Sequence, residues 1–240
     1  YHAPSHIAAK DFVLDLSWVK TCKVPKASEY PRKVRVASLC SGINGAFYAL
    51  KDFEVPTCHT IVMDTWAKLD KTLKHNLPPE DWIHVKCDKK AGDITAIDCN
   101  SLVDTPVDIL IAGPPCPPWS SLGCGGTTDD PRAEVFRACL NCVECFAQRG
   151  LKLFILENVL GIIKSWHGEE PFMCEVCAFL REKVPWFEYR IDVTNSCYHG
   201  LAQNRPRVFL IGYHRIICDF VPRLNQPLYE PMEAASLYRL

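Results

Sequence analysis

The chain has 240 residues, a formal net charge of −1 at pH 7 and 48% hydrophobic residues, values that fit one well-filled globular domain. No apolar run approaches the ~20 residues needed to cross a bilayer, and the near-neutral charge argues against a globally basic nucleic-acid-binding surface. Any contact with nucleic acid must therefore use local basic residues, or a part of the protein outside this sequence. Many of the 14 cysteines fall in apolar, regularly patterned segments, which predicts reduced thiols in an intracellular, reducing environment.

Three segments are predicted from composition. Residues 1–33 have mixed composition and indicate a leader or peripheral segment. From Val34 to residue 214, short apolar runs alternate with amphipathic stretches, the pattern of an α/β domain. Residues 215–240 lack periodicity and read as a tail. Because the chain begins with Tyr1 and carries no secretory signal, we expect it to be a segment of a longer protein.

The expected fold is a doubly wound, mostly parallel, Rossmann-like α/β sheet closed by an antiparallel hairpin. The predicted strands cover residues 33–40, 58–64, 82–86, 107–113 and 151–159. The predicted helices cover residues 43–53, 65–76, 131–150 and 171–184. Residues 186–194 and 207–214 form the predicted hairpin. In such a sheet, ligands bind at the carboxyl ends of the strands.

The end of the first strand predicts a cofactor turn. The stretch SLCSGINGA (38–46) contains Gly42 and Gly45, and glycines at a strand-to-helix turn let a cofactor approach the backbone and the helix N-terminus closely. The same small residues could serve only packing, so the turn alone does not decide between the two interpretations.

Two acids and an aromatic residue extend this prediction. Asp64 ends the second strand, where doubly wound nucleotide folds place an acid for ribose hydroxyls. Trp66 could stack on a heterocycle, and Asp93 in GDI could add a polar contact. The alternatives are that Asp64 caps the following helix, that Trp66 belongs to the core, and that Asp93 is a turn residue.

The stretch IAGPPCPPWSSLGCGG (111–126) places Cys116 between two proline pairs at the end of the fourth strand. These prolines predict a stiff, irregular backbone that is neither helix nor strand. A thiol held at such a position, facing the ligand crevice, is placed as a nucleophile would be. The alternative is a structural cysteine in a stiff loop.

Two further motifs supply polar groups. ENV (157–159) places Glu157 and Asn158 at the end of the fifth strand, where a carboxyl at the mouth of an apolar pocket can donate a proton. AQNRPRVFLIG (202–212) places Gln203, Arg205 and Arg207 just before the last strand. The arginines could bind one anionic or carbonyl-rich group, or could form a solvated edge.

Taken in order, these pieces resemble the cytosine carbon-5 methyltransferases of nucleic acids. GPPCPPWS resembles the family's Pro-Cys nucleophile loop, ENV its glutamate motif, and QNRPR its Gln-x-Arg-x-Arg motif. SGINGA resembles the cofactor loop, and VMDTWA the acid and aromatic residue that hold adenosine. The resemblance runs from about residue 34 to 213.

The resemblance implies a cofactor, S-adenosylmethionine, and a substrate, a cytosine flipped out of DNA. Cys116 would attack ring carbon 6, while protonated Glu157 would neutralise ring nitrogen 3 and Arg207 would hold the carbonyl oxygen. Arg205 completes the catalytic set and, with Asn158, orients these groups. The glycine-rich residues 120–132 resemble the family's mobile lid.

The resemblance also implies binding residues for each ligand. The cofactor contacts are Ser38, Leu39, Ser41, Gly42, Ile43, Asn44, Gly45, Asp64, Thr65, Trp66, Asp93, Ile94 and Pro114. The substrate contacts are Pro115, Ser120, Asn158 and Gln203.

Four departures from the family pattern predict weaker or altered activity. Ser38 stands where an acid is usual, Asn44 replaces a glycine, Pro117 follows the cysteine where Gln or Asn is usual, and GLAQ replaces Gly-Val-Pro-Gln. After residue 214 we find neither a target-recognition region nor the last family motif. We therefore expect a catalytic subdomain, nuclear in location if the substrate is DNA in a nucleus-bearing cell, and cytoplasmic if it is bacterial or acts on RNA.

Three alternatives remain open from the sequence. The chain could be a methyltransferase-like regulator that binds a partner or nucleic acid without turnover, or it could methylate transfer RNA rather than DNA. Zinc binding is the third alternative, since CLNCVEC (139–145) and CEVC (174–177) have zinc-like Cys-x-x-Cys spacing. The same spacing places residues on one buried helix face, so we predict no metal site. Because no apolar run is long enough to cross a bilayer, we also predict no membrane contact.

Overall fold

The computed structural model of the chain describes residues 30–77, 85–87, 90–102, 104–120, 130–199 and 203–216. Its strands are β1 (Val34–Leu39), β2 (Thr57–Asp64), β3 (Val85–Cys87), β4 (Ile109–Ala112), β5 (Leu153–Asn158), β6 (Phe187–Asn195) and β7 (Pro206–His214). Its α-helices are α1 (Gly45–Asp52), α2 (Leu69–Asn76), α3 (Ala133–Ala147) and α4 (Phe172–Lys183). Short 3-10 helices cover Ile94–Ala96, Cys99–Leu102, Pro117–Trp119, Leu160–Ile163 and Ser196–His199.

The described strands form one seven-stranded sheet in the order β3-β2-β1-β4-β5-β7-β6. The first five strands are parallel, while β7 runs antiparallel to both β5 and β6. The predicted doubly wound α/β fold is therefore confirmed. Strand order reverses between β1 and β4, and this is the switch point at which such sheets bind ligands.

The sheet buries one face more completely than the other. Side chains alternate along β4 and β5, so Leu110, Ala112, Phe154 and Leu156 are buried in the main core. Against this face lie the buried side chains of α3 and α4. A smaller cluster packs Val62 of β2 against three leucines that lie on or just after α2. Among the described helices, none is long and apolar enough to cross a membrane.

The final hairpin differs from a simple closing pair. β6 and β7 pair as predicted, but β7 lies between β5 and β6, so that Glu157 faces Phe209 and Asn158 faces Val208. Antiparallel pairing with β5 covers an edge that a purely parallel sheet would leave open. The insertion also brings the start of β7 beside the end of β5, where the site lies.

Two local predictions were wrong at their details. α2 begins at Leu69 rather than residue 65, because residues 65–68 form a turn that precedes the first regular helical hydrogen bonds. The loop after Cys116 is not irregular, because Pro117–Trp119 forms a 3-10 turn and proline's fixed φ suits the first positions of a helical turn. Residues 82–84 of the predicted third strand, residues 121–129 of the predicted lid, and most of the leader and tail lie outside the described residues.

A cluster of charges ties three central strands together at the end opposite the site. The carboxylate of Asp108, just before β4, accepts hydrogen bonds from the guanidinium groups of Arg32 and Arg35 and from the backbone N–H of Arg35. Lys152, just before β5, lies 3.6 Å from the same carboxylate. Burial opposes ionisation of this group, but the arginine hydrogen bonds outweigh it and hold the pKa of Asp108 well below its usual range.

We expect Asp108→Asn to lower the free energy of unfolding at pH 7 by about 2 kcal/mol, a moderate loss because both arginines are partly exposed. Since the folded-state pKa is depressed, the contribution exists above the unfolded pKa of about 4 and fades as the pH falls below it. Urea unfolding of both proteins at pH 7 and pH 3 should show the difference shrinking at low pH.

The matched control is Asp70→Asn, which removes a surface ion pair with Lys74 on α2. It should change stability by at most about 0.5 kcal/mol. A gap between wild type and Asp108→Asn that persists undiminished at pH 3 would contradict the assignment.

Candidate active site

A cavity of about 240 Å³ opens at the carboxyl ends of β1, β2 and β4. It lies at the switch point of the sheet. Its lining residues come from all three strand ends, from the turn before the first 3-10 helix and from α3. They are Cys40, Gly42, Asp64, Thr65, Gly92, Asp93, Ile94, Gly113, Pro115 and Val135.

Asp64 links two sides of this cavity. Its carboxylate accepts one hydrogen bond from the backbone N–H of Gly42 (2.9 Å) and one from the backbone N–H of Trp66 (2.9 Å). A carboxylate has about four lone-pair positions, so Asp64 retains acceptor capacity toward the cavity. Asp64 does not cap α2, whose first residue lies five positions later, and this alternative is wrong.

The loop between β1 and α1 takes left-handed backbone conformations at three residues, Cys40 (φ 50°), Gly42 (φ 53°) and Asn44 (φ 59°). Asn tolerates this region better than most other residues, which explains how Asn44 can occupy a position where the family pattern has glycine. Its buried side-chain amide lies 3.3 Å from Nδ1 of His59 on β2. The contact with His59 therefore fixes the loop to β2.

Gly92 brings the opposite wall close to the strands. A Cβ at this position would overlap the backbone carbonyl of Asp64 and crowd that of Lys86. The close approach places Asp93 and Ile94 at the cavity, and Oδ1 of Asp93 accepts hydrogen bonds from the backbone N–H and hydroxyl of Thr95. Asp93 is thus both a turn residue and a cavity residue.

The other predicted cofactor residues differ in exposure. Ser38 and Leu39 are buried in β1, and Gly45 begins α1. Ile43 is 61% exposed and Trp66 is 59% exposed, so the alternative that Trp66 belongs to the core is wrong. The hydroxyl of Ser41 is buried and has no hydrogen-bond partner among the described residues.

The nucleophile loop is anchored by Trp119. Cys116 is partly exposed, and its carbonyl accepts a hydrogen bond from the backbone N–H of Trp119 (3.0 Å). The buried indole stacks on Phe172 of α4, with ring centroids 4.7 Å apart, and meets Phe136 of α3 edge to face. Gly161 packs directly under the loop, since a Cβ there would overlap the carbonyl of Trp119.

Asn158 fixes the other side of the loop. Its buried side-chain N–H donates to the carbonyl of Pro114 (3.1 Å), and its Oδ1 accepts from the backbone N–H of Val159 (2.9 Å). Pro114 is consequently buried against β5, whereas Pro115 lines the cavity. Cys116 is therefore held between two anchors, one on each side in sequence.

Glu157 and Arg207 form an ion pair beside this loop. Nε of Arg207 lies 2.7 Å from Oε1 of Glu157, and both side chains keep some exposure, 17% and 32%. A Cβ on Gly113 would lie 3.6 Å from the other carboxylate oxygen, so the pair borders the strand end that leads to Cys116. β5 and β7 supply one partner each.

The remaining predicted substrate residues lie at the entrance to β7 or at the end of the loop. Gln203 and Arg205 are exposed, the carbonyl of Gln203 accepting from the Ser196 hydroxyl and the backbone N–H of Arg205 donating to Asn195. Ser120 follows the 3-10 turn and is half-buried. Arg205 is thus not part of the Glu157–Arg207 pair.

Four cavity residues were missed by the sequence analysis. They are Cys40, Gly92, Gly113 and Val135. Cys40, Gly92 and Gly113 adjoin predicted residues in sequence. Val135 lies on α3, far away in sequence, and no local pattern distinguishes it from the other apolar residues of that helix.

Residues 34–233 match the family model of the C-5 cytosine-specific DNA methylases. The chain belongs to this family. Members of this family use S-adenosylmethionine as the methyl donor.

Two of the similar proteins are a type II methyltransferase and a tRNA methyltransferase. The chain is 31% identical over 124 residues to the type II methyltransferase M.HpaII of Haemophilus parainfluenzae, covering 52% of the chain and 33% of that protein. It is 27% identical over 180 residues to the tRNA (cytosine(38)-C(5))-methyltransferase of Mus musculus, covering 75% of the chain and 40% of that enzyme. The chain thus spans between about a third and a half of the length of these relatives.

Solved structures agree with the fold. The S. pombe Dnmt2 methyltransferase superposes with a TM-score of 0.59 at 18% identity, covering 79% of this chain and 52% of that one. A putative prophage-encoded DNA modification methyltransferase from E. coli gives a TM-score of 0.59 at 19% identity, covering 81% and 52%. These likenesses establish the Rossmann-like architecture.

Asp64 in the cavity, together with Ser41 and Trp66 next to cavity residues in sequence, fits S-adenosylmethionine. Asp64 offers free acceptor positions of the kind that bind ribose hydroxyls, the exposed indole of Trp66 offers a stacking surface, and the buried Ser41 hydroxyl is available for a polar contact. Within the described ranges, no group of three or more His, Cys, Asp or Glu side chains is arranged to hold a metal ion.

We expect Asn158→Asp to loosen the nucleophile loop. The variant keeps the acceptor for Val159 but turns a second oxygen toward the carbonyl of Pro114, so stability should fall by about 2 kcal/mol. Alkylation of Cys116 by iodoacetamide, followed by peptide mass spectrometry, should become faster, with the exposed Cys174 as an internal reference.

The control is Asn204→Asp, an exposed residue whose side-chain oxygen only accepts a hydrogen bond from Asn195. Its stability should stay within about 0.5 kcal/mol of wild type. Unchanged stability together with unchanged Cys116 alkylation in Asn158→Asp would show that this bond does not hold the loop.

Proposed function

We propose that the chain carries the catalytic machinery for methylation of cytosine carbon 5 in DNA through a covalent bond to Cys116. The observation that carries this proposal is the junction of β4, β5 and β7. There the partly exposed thiol of Cys116, anchored on both sides, follows the end of β4, next to the cofactor cavity. The Glu157–Arg207 ion pair borders the same strand end. Nucleophile, acid and cation are the three groups that the reaction requires.

Cytosine does not accept a thiolate unless the charge that develops on its ring is neutralised. In the proposed reaction, Cys116 forms a bond to ring carbon 6. Glu157, in its protonated form, donates to ring nitrogen 3, and Arg207 donates to the carbonyl oxygen. On binding, the base would replace the direct contact between Glu157 and Arg207, and each side chain would then contact the base.

Addition at carbon 6 makes carbon 5 nucleophilic. S-adenosylmethionine supplies an electrophilic methyl group when it is bound. The proton at carbon 5 then passes to solvent water, and the electrons of that C–H bond re-form the ring double bond as the bond between Cys116 and carbon 6 breaks and frees the thiolate. The anchors at Asn158 and Trp119 keep the thiol in place through both events, which lowers the entropic cost of reaching the reacting geometry.

The residues that would hold the cofactor are those at the ends of β1 and β2. Asp64 would accept from the ribose hydroxyls, Trp66 would stack on the adenine, and Asp93 would complete the polar wall. The loop Gly42–Gly45 would allow the cofactor to approach the backbone closely, because Gly42 and Asn44 take left-handed conformations there.

Transfer RNA is the second candidate substrate. This proposal is supported by the similarity to the mouse tRNA (cytosine(38)-C(5))-methyltransferase, which matches 75% of the chain. In either nucleic acid the target base must leave its stack to reach the thiol. The arms of the experiment must therefore include both polymers.

The decisive experiment is covalent trapping with 5-fluorocytosine. The chain, and any longer natural polypeptide that contains it, is incubated with S-adenosylmethionine and either fluorocytosine-substituted DNA or fluorocytosine-substituted tRNA. Because fluorine cannot leave as a proton does, an active enzyme should stay joined to the base through Cys116. A denaturing gel should show the adduct, and peptide mass spectrometry should locate it.

Cys116→Ser should abolish the adduct, and Glu157→Gln should slow its formation by roughly 10²–10³-fold. Cys174→Ser, which alters an exposed thiol on α4, is the matched control and should react like wild type. An adduct with tRNA alone would establish the second candidate. If even the longest polypeptide forms no adduct, the proposal fails, and the alternative of a regulator that binds nucleic acid or a partner without turnover remains.

We expect Asp64→Ala to weaken S-adenosylmethionine binding at least ten-fold, because the ribose contact and the bond that shapes the Gly42 loop are both lost. Titration calorimetry with the wild type and the variant measures this directly. Asp70→Asn is the control and should bind normally. Equal affinity in Asp64→Ala would place the ribose elsewhere.

A further inference from the structure

Five thiols lie on the elements behind the cofactor cavity. Cys40 lines that cavity and lies beside Cys139 of α3. One turn further along α3, Sγ of Cys142 lies 2.8 Å from Sγ of Cys99, on the 3-10 helix Cys99–Leu102. The fifth thiol, Cys145, donates to the carbonyl of Cys99 (3.3 Å). The reaction proposed above uses none of these groups.

Cys99 is reachable from solvent through a second cavity of about 370 Å³. Cys99 is partly exposed, whereas Cys142 is buried. The guanidinium of Arg149 lies in the same cavity, 2.7 Å from Sγ of Cys145 and 3.3 Å from the side-chain oxygen of Asn100. A small polar molecule that enters this cavity therefore meets one thiol of the pair and the guanidinium of Arg149, beside the carboxylates of Asp98 and Glu144.

The two sulfurs of the pair are not equivalent. A hydrogen bond from the Cys142 thiol lowers the pKa of Cys99, against opposing effects of burial and of Asp98, and Arg149 acts in the same direction. The same hydrogen bond and burial raise the pKa of Cys142. Cys99 is consequently the better nucleophile and Cys142 is the proton donor beside it.

We propose that Cys99 and Cys142 form a peroxide-reactive thiol pair that closes to a reversible disulfide. Their sulfur separation is only about 0.8 Å longer than a disulfide bond, so closure needs little movement of either element. The proposal rests on the thiol geometry and is independent of the methyltransferase reaction.

The chemistry balances with hydrogen peroxide as the oxidant. The Cys99 thiolate attacks one peroxide oxygen, the O–O bond breaks, and hydroxide leaves as the sulfenic acid forms. The Cys142 sulfur then attacks the Cys99 sulfur, the S–O bond breaks, and the hydroxyl leaves as water with the Cys142 proton. The two sulfurs lose two electrons in total, and an added dithiol returns them by exchange.

The disulfide would join two walls of the cofactor site. The neighbouring 3-10 helix, Ile94–Ala96, packs on α3 and follows the cavity residue Asp93, while Val135 of α3 lines the same cavity. A bond between residues 43 positions apart restricts the unfolded chain, so the oxidised protein should melt roughly 5–10 °C higher than the reduced one.

The test treats the chain with a small excess of hydrogen peroxide, blocks the remaining thiols and maps peptides by mass spectrometry. We expect a peptide pair joined through Cys99 and Cys142, lighter by two hydrogens and split by dithiothreitol. A disulfide between Cys40 and Cys139 instead, or oxidation confined to Cys116 and the exposed Cys174, would overturn the proposal.

Variants separate the two roles. In Cys142→Ser the sulfenic acid on Cys99 cannot resolve, so dimedone should label Cys99 at least ten-fold more than in wild type. In Cys99→Ser, dimedone labelling at Cys142 should be absent because that thiol is buried and protonated. Cys174→Ser is the matched control and should keep both the disulfide and the thermal shift.

Failure of a variant to fold would not rescue the proposal, because the peptide map of the wild type decides it alone. Equal melting temperatures of the oxidised and reduced wild type, with the disulfide present in the map, would overturn the predicted tethering of α3. Failure to trap fluorocytosine would leave this result unaffected.

Discussion

The antiparallel pairing of β7 with β5 is the constraint on which the arrangement of the site depends. It places Glu157 opposite Phe209, so that Arg207, two residues earlier on the same side of β7, reaches the Glu157 carboxylate. A shift of one residue would turn Arg207 to the other face of the sheet. The acid and the cation are thus brought together by strand register.

Rigidity around the thiol comes from elements that are distant in sequence. Asn158 of β5 donates to the carbonyl of Pro114, two residues before Cys116, while α3 and α4 enclose the Trp119 ring after it. The 3-10 turn at Pro117–Trp119 gives proline a regular role in this arrangement. Pro117, which departs from the family pattern, is therefore compatible with the local backbone, since a first-turn position needs no N–H donor.

The sequence predicted the α/β class, the parallel strands and the hairpin, because buried strands and amphipathic helices have distinct periods. It also predicted which strand ends would carry Asp64, Cys116 and Glu157. It could not predict that β7 lies between β5 and β6, because strand order within a sheet does not change the hydrophobic pattern of a strand. Nor could it predict Val135 at the cavity or the Cys99–Cys142 pair, which arise only when α3 packs on residues far away in the chain.

Close packing at Gly161 has a consequence for how this region can vary. Even a methyl group there would overlap the carbonyl of Trp119, and the Trp119 ring is in turn fixed by the two phenylalanines around it. A larger residue at Gly161 can be accommodated only if the backbone that follows Cys116 moves as well. Substitutions in the 3-10 helix Leu160–Ile163 and in the loop that follows β4 are therefore expected to depend on each other.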